Sequence, residues 1–97
     1  MLNPTVYILS SAKLNRYYIG FTNDLDERMK FHQNSESNKF TYNADDWEIF
    51  YTIKCSSKVQ GLKIETHIKK MKSKIYIENL KKYPEITLKL LEKYKDC

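Results

Sequence analysis

The feature that most constrains the fold is a pair of short apolar runs near the N-terminus, separated by a polar gap. Residues 5–7 and 17–20 are rich in valine, isoleucine and tyrosine, and residues 10–15 between them are mostly polar. Such apolar runs favour a pleated, half-buried surface, and the gap is typical of a turn. The stretch therefore predicts a β-hairpin.

The register of this hairpin decides where two tyrosines lie. With a loop over residues 11–14, Tyr7 is directly opposite Tyr18, and the two side chains share a face with Cβ atoms about 5 Å apart. A slip of one residue would place them on opposite faces. Paired tyrosines are also typical of a sheet face that has no chemical role, so this alternative stays open.

Length and charge limit the class of protein. The 97 residues predict one domain, and the net charge of +5, from 17 basic and 12 acidic residues, favours a polyanionic partner such as nucleic acid. The two cysteines lack the spacing of a metal knuckle and indicate a reducing compartment. No apolar run reaches the roughly 20 residues that span a bilayer. We therefore expect a cytoplasmic protein that does not bind membranes.

A helix is predicted over residues 25–33, after an acidic cap. At about 100° per residue, Leu25 and Met29 mark its inward face, and Arg28 and His32 lie on the same side. An arginine turned toward the body of a small protein must be paired or must line a cavity. The alternatives are a structural ion pair for Arg28 and a hydrogen-bonded histidine at the core's edge for His32.

A polar stretch and a strand follow this helix. Residues 34–46 predict a loop, and Lys39 lies in its basic and aromatic segment 39–42, which could contact a nucleic-acid strand or pack locally. Residues 47–54 are aromatic and β-branched, which predicts the third strand.

A second helix is predicted over residues 58–72, and it carries a carboxylate within its apolar arc. Glu65 falls between Leu62 and Ile68 on the helical wheel. A buried, ionised carboxylate requires a cation, a hydrogen-bond network or a metal, so a salt bridge to Arg28 or a lysine is the alternative to a functional role. The residues predicted to form the arc are Gly61, Leu62, Ile64, Ile68 and Met71.

The end of the second helix is basic, and two more helices follow. The lysines Lys69, Lys70, Lys72 and Lys74 form a cluster that is either a solvated face or a footprint for a phosphate backbone. Ser73 is placed to cap a short helix over residues 74–82. Pro84 suits the first position of a final helix with an apolar stripe.

In order and spacing, these residues resemble the GIY-YIG nuclease domain, and in particular its small stand-alone bacterial members. The likeness covers about residues 4–80 of a single domain, 1–97, with a C-terminal helix at about 84–96. It depends on the motif Tyr-Tyr-Ile-Gly-x-Thr-Asn-Asp-Leu-x-x-Arg-x-x-x-His and on the run that begins at Glu65. The resemblance implies an α+β fold with a three-stranded antiparallel β-sheet flanked by helices.

The resemblance also implies a metal-dependent endonuclease that hydrolyses phosphodiester bonds in DNA with one divalent ion, Mg²⁺ or Mn²⁺. Neither DNA repair nor recombination is singled out by the residues as its setting. The implied catalytic residues are Tyr7, Tyr18, Arg28, His32 and Glu65, of which Glu65 is the metal ligand. The expected nucleic-acid-binding residues are Lys39, Lys69, Lys70, Lys72 and Lys74.

Two departures from the family pattern keep other functions open. Thr5-Val6 replaces the glycine-isoleucine of the first motif, and Phe21 stands where some members carry a lysine. One alternative is a nucleic-acid-binding module of the same fold with little or no catalysis. Another is a purely structural domain in which Arg28 and Glu65 form an internal ion pair.

Overall fold

A three-stranded antiparallel sheet lies at the centre of the computed structural model, in the order β2-β1-β3. The structure describes residues 3–34 and 46–95, without the side chains of 31–34. The expected α+β fold is confirmed, with the third strand one residue shorter than predicted. The elements are β1 (Thr5–Ser11), β2 (Arg16–Thr22), α1 (Leu25–Asn34), β3 (Glu48–Lys54), α2 (Lys58–Met71), α3 (Lys74–Lys82) and α4 (Pro84–Lys93).

The central strand β1 is buried on both faces. Val6 and Ile8 point to the helices α2, α3 and α4, and Tyr7 points to the opposite face with Leu9. Burial on both faces explains why residues 6–9 of β1 are apolar in succession instead of alternating with polar residues. The core cluster consists of Val6, Ile8, Ile53, Ile64, Ile68, Ile77, Leu80 and Leu90.

The predicted hairpin register is wrong by two residues. Tyr7 pairs with Gly20, and Tyr18 pairs with Leu9, which is two residues after Tyr7 on β1. Because side chains alternate with a period of two, a shift of two residues keeps both tyrosines on one face. They are therefore diagonal neighbours instead of directly opposed residues.

The turn spans residues 12–15, because Ser11 belongs to the strand. The Ser11 hydroxyl donates to one carboxylate oxygen of Asp46 at 2.7 Å, and the other oxygen accepts from the backbone N–H of Lys13 at 3.0 Å. The hydrogen bond from Ser11 is the main reason that the pKa of Asp46 lies below its usual range. Asp46 thus joins the approach to β3 to the hairpin turn, a long-range contact that local turn propensity does not encode.

The buried face of α2 differs from the predicted arc. Leu62 and Met71, which the prediction places in the arc, are 39% and 44% exposed, whereas the buried residues are Gln60, Gly61, Ile64 and Ile68. The Gln60 side chain accepts from the Ser56 N–H at 2.7 Å and donates to the Leu91 carbonyl at 2.8 Å. These hydrogen bonds satisfy the buried amide of Gln60. The helix therefore turns this glutamine inward and Leu62 and Met71 outward.

The helices α3 and α4 follow the predicted signals. The Ser73 hydroxyl accepts from the Tyr76 N–H at 3.1 Å and caps α3, and Pro84 opens α4. Tyr51 and Thr87 share a hydrogen bond of 2.6 Å that ties α4 to β3. Within residues 3–34 and 46–95, none of the helices has the length and apolar character to cross a bilayer.

Candidate active site

The ring of Tyr7 lies across Gly20, and this contact determines where its hydroxyl is. A Cβ atom built on Gly20 would be 2.9 Å from the Tyr7 Cε1 atom and closer still to the hydroxyl end of the ring. Tyr7 is on the central strand and Gly20 is on the edge strand β2. The missing side chain at Gly20 therefore lets a phenol rooted in the middle of the sheet reach over its edge.

Tyr18 lies beside Tyr7 at this edge. The ring centroids are 6.2 Å apart with an interplanar angle of 41°. The Tyr7 hydroxyl donates a hydrogen bond to Tyr18. Tyr7 is 1% exposed, whereas Tyr18 is partly exposed, so the pair leads from the interior toward solvent.

The pKa of Tyr7 is raised well above its usual value of about 10. Burial of the phenol is the main cause, followed by the nearby Tyr18 hydroxyl, whereas Arg28 lowers the pKa. The hydrogen bond to Tyr18 and the negative charge of Glu65 raise it further. Tyr7 is therefore a neutral hydrogen-bond donor at neutral pH, and both charged site residues are near enough to influence it.

Arg28 lies on the exposed side of α1, at an open cleft. The helix starts where the Asp24 carboxylate accepts from the Glu27 N–H at 3.2 Å. Arg28, Phe21 and Lys58 help to line a cleft of about 510 Å³. The prediction that Arg28 lies on the inward face of α1 is therefore wrong, but Arg28 does line an open cleft.

Glu65 lies at the margin of the buried face of α2 instead of within it. Its side chain is 16% exposed, and its carboxylate is 3.1 Å from the Lys69 ammonium one turn along the helix. In the part of the chain that the structure describes, this lysine and not Arg28 is the salt-bridge partner. The structural alternative required an internal ion pair between Arg28 and Glu65. The structure has the Lys69–Glu65 pair instead, and this pair is weak because solvent screens its charges and both side chains lose entropy.

Two predicted residues cannot be placed in this arrangement. His32 belongs to α1 by its backbone, but its side chain is outside the described parts of the structure. Lys39 falls in the segment 35–45, which is also outside the described residues. Their roles stay predictions.

The predicted lysine cluster is divided between two sides of α2. Lys69, Lys72 and Lys74 line one groove, together with Arg16 at the start of β2. Lys70 lines a separate groove with His67. The sequence indicated the lysines but not Arg16, because only the packing of the hairpin against the α2–α3 corner brings it to them.

Phe21, the departure from the family pattern, contributes to packing between sheet and helix. A Cβ atom on Gly61 would be 2.7 Å from the Phe21 Cδ1 atom. The aromatic ring therefore occupies the space above Gly61, and α2 approaches β2 closely there. Glu65 is one turn along α2 from Gly61, and its charge is near enough to raise the pKa of Tyr7.

The donor set at the site suits a hard divalent cation. In residues 3–30 and 46–95 no group of three or more His, Cys, Asp or Glu side chains lies together. Glu65 offers one partly exposed carboxylate, and the neighbouring polar groups are phenolic oxygens. Mg²⁺ binds oxygen ligands, keeps several waters and commonly uses only one or two carboxylates, so these residues fit it.

Comparison with known proteins agrees with this arrangement. The chain matches the GIY-YIG catalytic domain over residues 3–83. It is 30% identical over 79 residues to the UPF0213 protein YazA of Bacillus subtilis (strain 168), an alignment that covers 78% of this chain and 80% of YazA. It is also 30% identical over 66 residues to the UPF0213 protein OB0043 of Oceanobacillus iheyensis, covering 68% and 76% of the two chains. No solved structure matches it. The matched region contains both tyrosines, the arginine, the glutamate and the whole sheet, so this chain belongs to the GIY-YIG family.

Proposed function

We propose that this protein is a metal-dependent DNA endonuclease that hydrolyses phosphodiester bonds. The observation that carries the proposal is the pairing of Tyr7 with Tyr18, whose ring centroids are 6.2 Å apart, with the charges of Arg28 and Glu65 near enough to influence the pKa of Tyr7. These four side chains come from two strands and two helices. A structural domain has no need to gather two phenols, a guanidinium and a carboxylate at one partly exposed place.

Each residue has a role that follows from its position. The Arg28 guanidinium, which helps to line an open cleft, binds the scissile phosphate through paired N–H donors. In its phenolate form Tyr7 accepts the proton of the attacking water, and Tyr18 holds the Tyr7 oxygen in place through their hydrogen bond. His32 is the further candidate for receiving that proton.

Glu65 is the proposed ligand of Mg²⁺ or Mn²⁺. A divalent ion bound there would stabilise the negative charge that develops on the phosphate and on the leaving 3′-oxygen. Glu65 itself anchors the ion from the rigid helix α2, and Lys69 neutralises the carboxylate when no ion is bound.

We expect the cleavage rate to rise with pH without levelling off below about pH 9. Because the pKa of Tyr7 is raised, its base form is a minority at every such pH and grows about tenfold per pH unit. The measurement is single-turnover cleavage between pH 6 and 9 at saturating Mg²⁺. A plateau just above pH 7 would contradict Tyr7 as the base and assign that role to a histidine, whose usual pKa is about 6.5.

The test of the proposed function is a cleavage assay. Purified protein is incubated with supercoiled, branched and single-stranded DNA, with EDTA, Mg²⁺ or Mn²⁺. We expect nicking only with a divalent ion. Binding to DNA without metal-dependent cutting would instead establish the binding-module alternative, which the raised pKa of Tyr7 and the phenylalanine at position 21 favour.

A further inference from the structure

We propose that a groove beside the active site binds backbone phosphates of the DNA strand next to the phosphate that is cut. We call it the flanking groove and define it by Arg16, Lys69, Lys72 and Lys74. The identification of the bound polyanion as DNA rests on the proposed function. It adds a second binding site, with its own residues, between the start of β2 and the corner that joins α2 to α3.

The flanking groove concentrates positive charge, of which only Lys69 has a carboxylate partner, Glu65, among the described residues. It has a volume of about 250 Å³, and no Asp or Glu is among the described residues that line it. Ile19, Ile68 and Ile77 form its apolar part. Cations gathered at one place repel one another, so such a cluster weakens the fold unless an anion binds there.

Lys72 adds an observation that is independent of charge. It is the C-terminal cap of α2, and its φ and ψ of 47° and 41° are left-handed. Glycine is the usual residue at such a position, because a Cβ atom destabilises the left-handed conformation. The lysine at this position places a cation in the flanking groove, and the protein is less stable than it would be with glycine there.

Lys74 is fixed in place by the hairpin turn. Its ammonium group donates to the Asn15 carbonyl at 2.6 Å. Asn15 is the other described non-glycine residue with positive φ, at 50°. The turn and the α2–α3 corner therefore hold Arg16 and Lys74 together, and the groove is preformed.

Lys69 connects the flanking groove to the active site. Its ammonium is 3.1 Å from the Glu65 carboxylate. From Glu65 to Lys72 the helix rises about 10 Å. For a duplex that lies along α2, that distance corresponds to about three nucleotides, because the rise is about 3.4 Å per nucleotide along the duplex axis. The phosphates that the groove binds are thus within about three nucleotides of the scissile one.

The experiment uses Lys70 as a matched control, because it is two residues from Lys72 but lines the other groove. Binding of a short fluorescent DNA duplex is measured in EDTA between about 50 and 200 mM NaCl. The variants are Arg16→Gln, Lys72→Gln and Lys74→Gln, singly and together, and Lys70→Gln. Each phosphate contact that is lost should reduce the slope of log affinity against log salt by about 0.7–0.9.

We therefore expect the triple variant to lower the slope by about 2 to 3 and the affinity by at least about tenfold, with Lys70→Gln close to wild type. An unchanged slope in the triple variant, or an equal loss in Lys70→Gln, would overturn the proposal. Thermal unfolding of each variant checks that the fold is intact.

Lys72→Gly separates binding from stability. Glycine relieves the left-handed strain, so we expect Tm to rise by about 4 °C while DNA affinity falls as in Lys72→Gln. Wild-type affinity in Lys72→Gly would overturn the proposal. Because binding is measured in EDTA, the result does not depend on cleavage: a protein that never cuts can still show the slope change, and a protein that cuts can fail to show it.

Discussion

Glu65→Gln is expected to lower metal-dependent cleavage of DNA by at least about 10²-fold, which is the size of effect seen when one charge-stabilising group is removed from an active site. The substitution keeps the shape of the side chain and removes the only charge with which Glu65 can bind the ion. Stability should hardly change, because a salt bridge one turn apart on a helix contributes only about 0.3–0.5 kcal/mol. Cleavage under single-turnover conditions measures the loss of activity. Calorimetric titration with Mg²⁺ measures the loss of ion binding.

The matched control for this substitution is Glu92→Gln. Glu92 is also a helical glutamate paired with a lysine, Lys95, at 2.9 Å, but it lies on the distal helix α4. It should keep full activity and full Mg²⁺ response. Cleavage at the wild-type rate by Glu65→Gln would refute the assignment of Glu65 as the metal ligand.

Gly20→Ala is expected to abolish cleavage and to destabilise the protein by about 1–3 kcal/mol, the usual cost of forcing an extra carbon into a packed site. The new methyl group would be 2.9 Å from the Tyr7 Cε1 atom, so the phenol must leave its position across the edge strand. Chemical denaturation gives the change in the free energy of unfolding, and the nicking assay gives the loss of activity.

A double-mutant cycle separates this clash from a general effect of alanine in a strand. In a Tyr7→Ala background the ring is absent, so adding Gly20→Ala should cost almost no further stability. A similar loss in both backgrounds would show that the ring contact is not the cause. Wild-type cleavage by Gly20→Ala would contradict the proposed position of Tyr7.

These two predictions explain parts of the Tyr-Ile-Gly motif in physical terms. Tyr18 supplies a hydrogen-bond acceptor at the sheet edge, and Gly20 supplies the open space over which Tyr7 extends. The intervening Ile19 points to the opposite face and packs against the core. Alternation along one short edge strand thus places the proposed catalytic residues on one face and a core residue on the other.

The structure also limits the chemistry that Tyr7 can perform. A buried phenol with a raised pKa is a poor base, and Arg28 opposes that effect only in part. Binding of a cation to Glu65 would remove the negative charge that disfavours the phenolate. The proposed base is therefore most effective in the complex with metal and substrate, which is consistent with an enzyme that acts only on bound DNA.

Local patterns in the sequence were sufficient for some features. The serine cap and the bounds of α3 follow from Ser73 and the residues after it, because helix capping is a local interaction. The shared face of Tyr7 and Tyr18 was also predictable, even though the register was wrong, since an even shift preserves the alternation. Spacing and residue type were enough to indicate the GIY-YIG family.

Other features depend on contacts between distant segments. The rotation of α2 follows from the hydrogen bonds of Gln60, which no hydrophobic pattern reveals. The hairpin register depends on Asp46, which is 35 residues from Ser11 along the chain. The division of Lys70 from Lys72 depends on which neighbours pack against each side of the helix.

The sequence by itself determined the secondary-structure elements, the shared face of the two tyrosines and the residue types available for chemistry, because backbone periodicity and capping act over a few residues. Only the tertiary structure decided that Tyr7 extends across Gly20, that Glu65 lies at a helix margin beside it, and that Arg16 joins three lysines. These placements arise from the packing of separate elements, and the free energy of that packing is not local to any stretch of the chain.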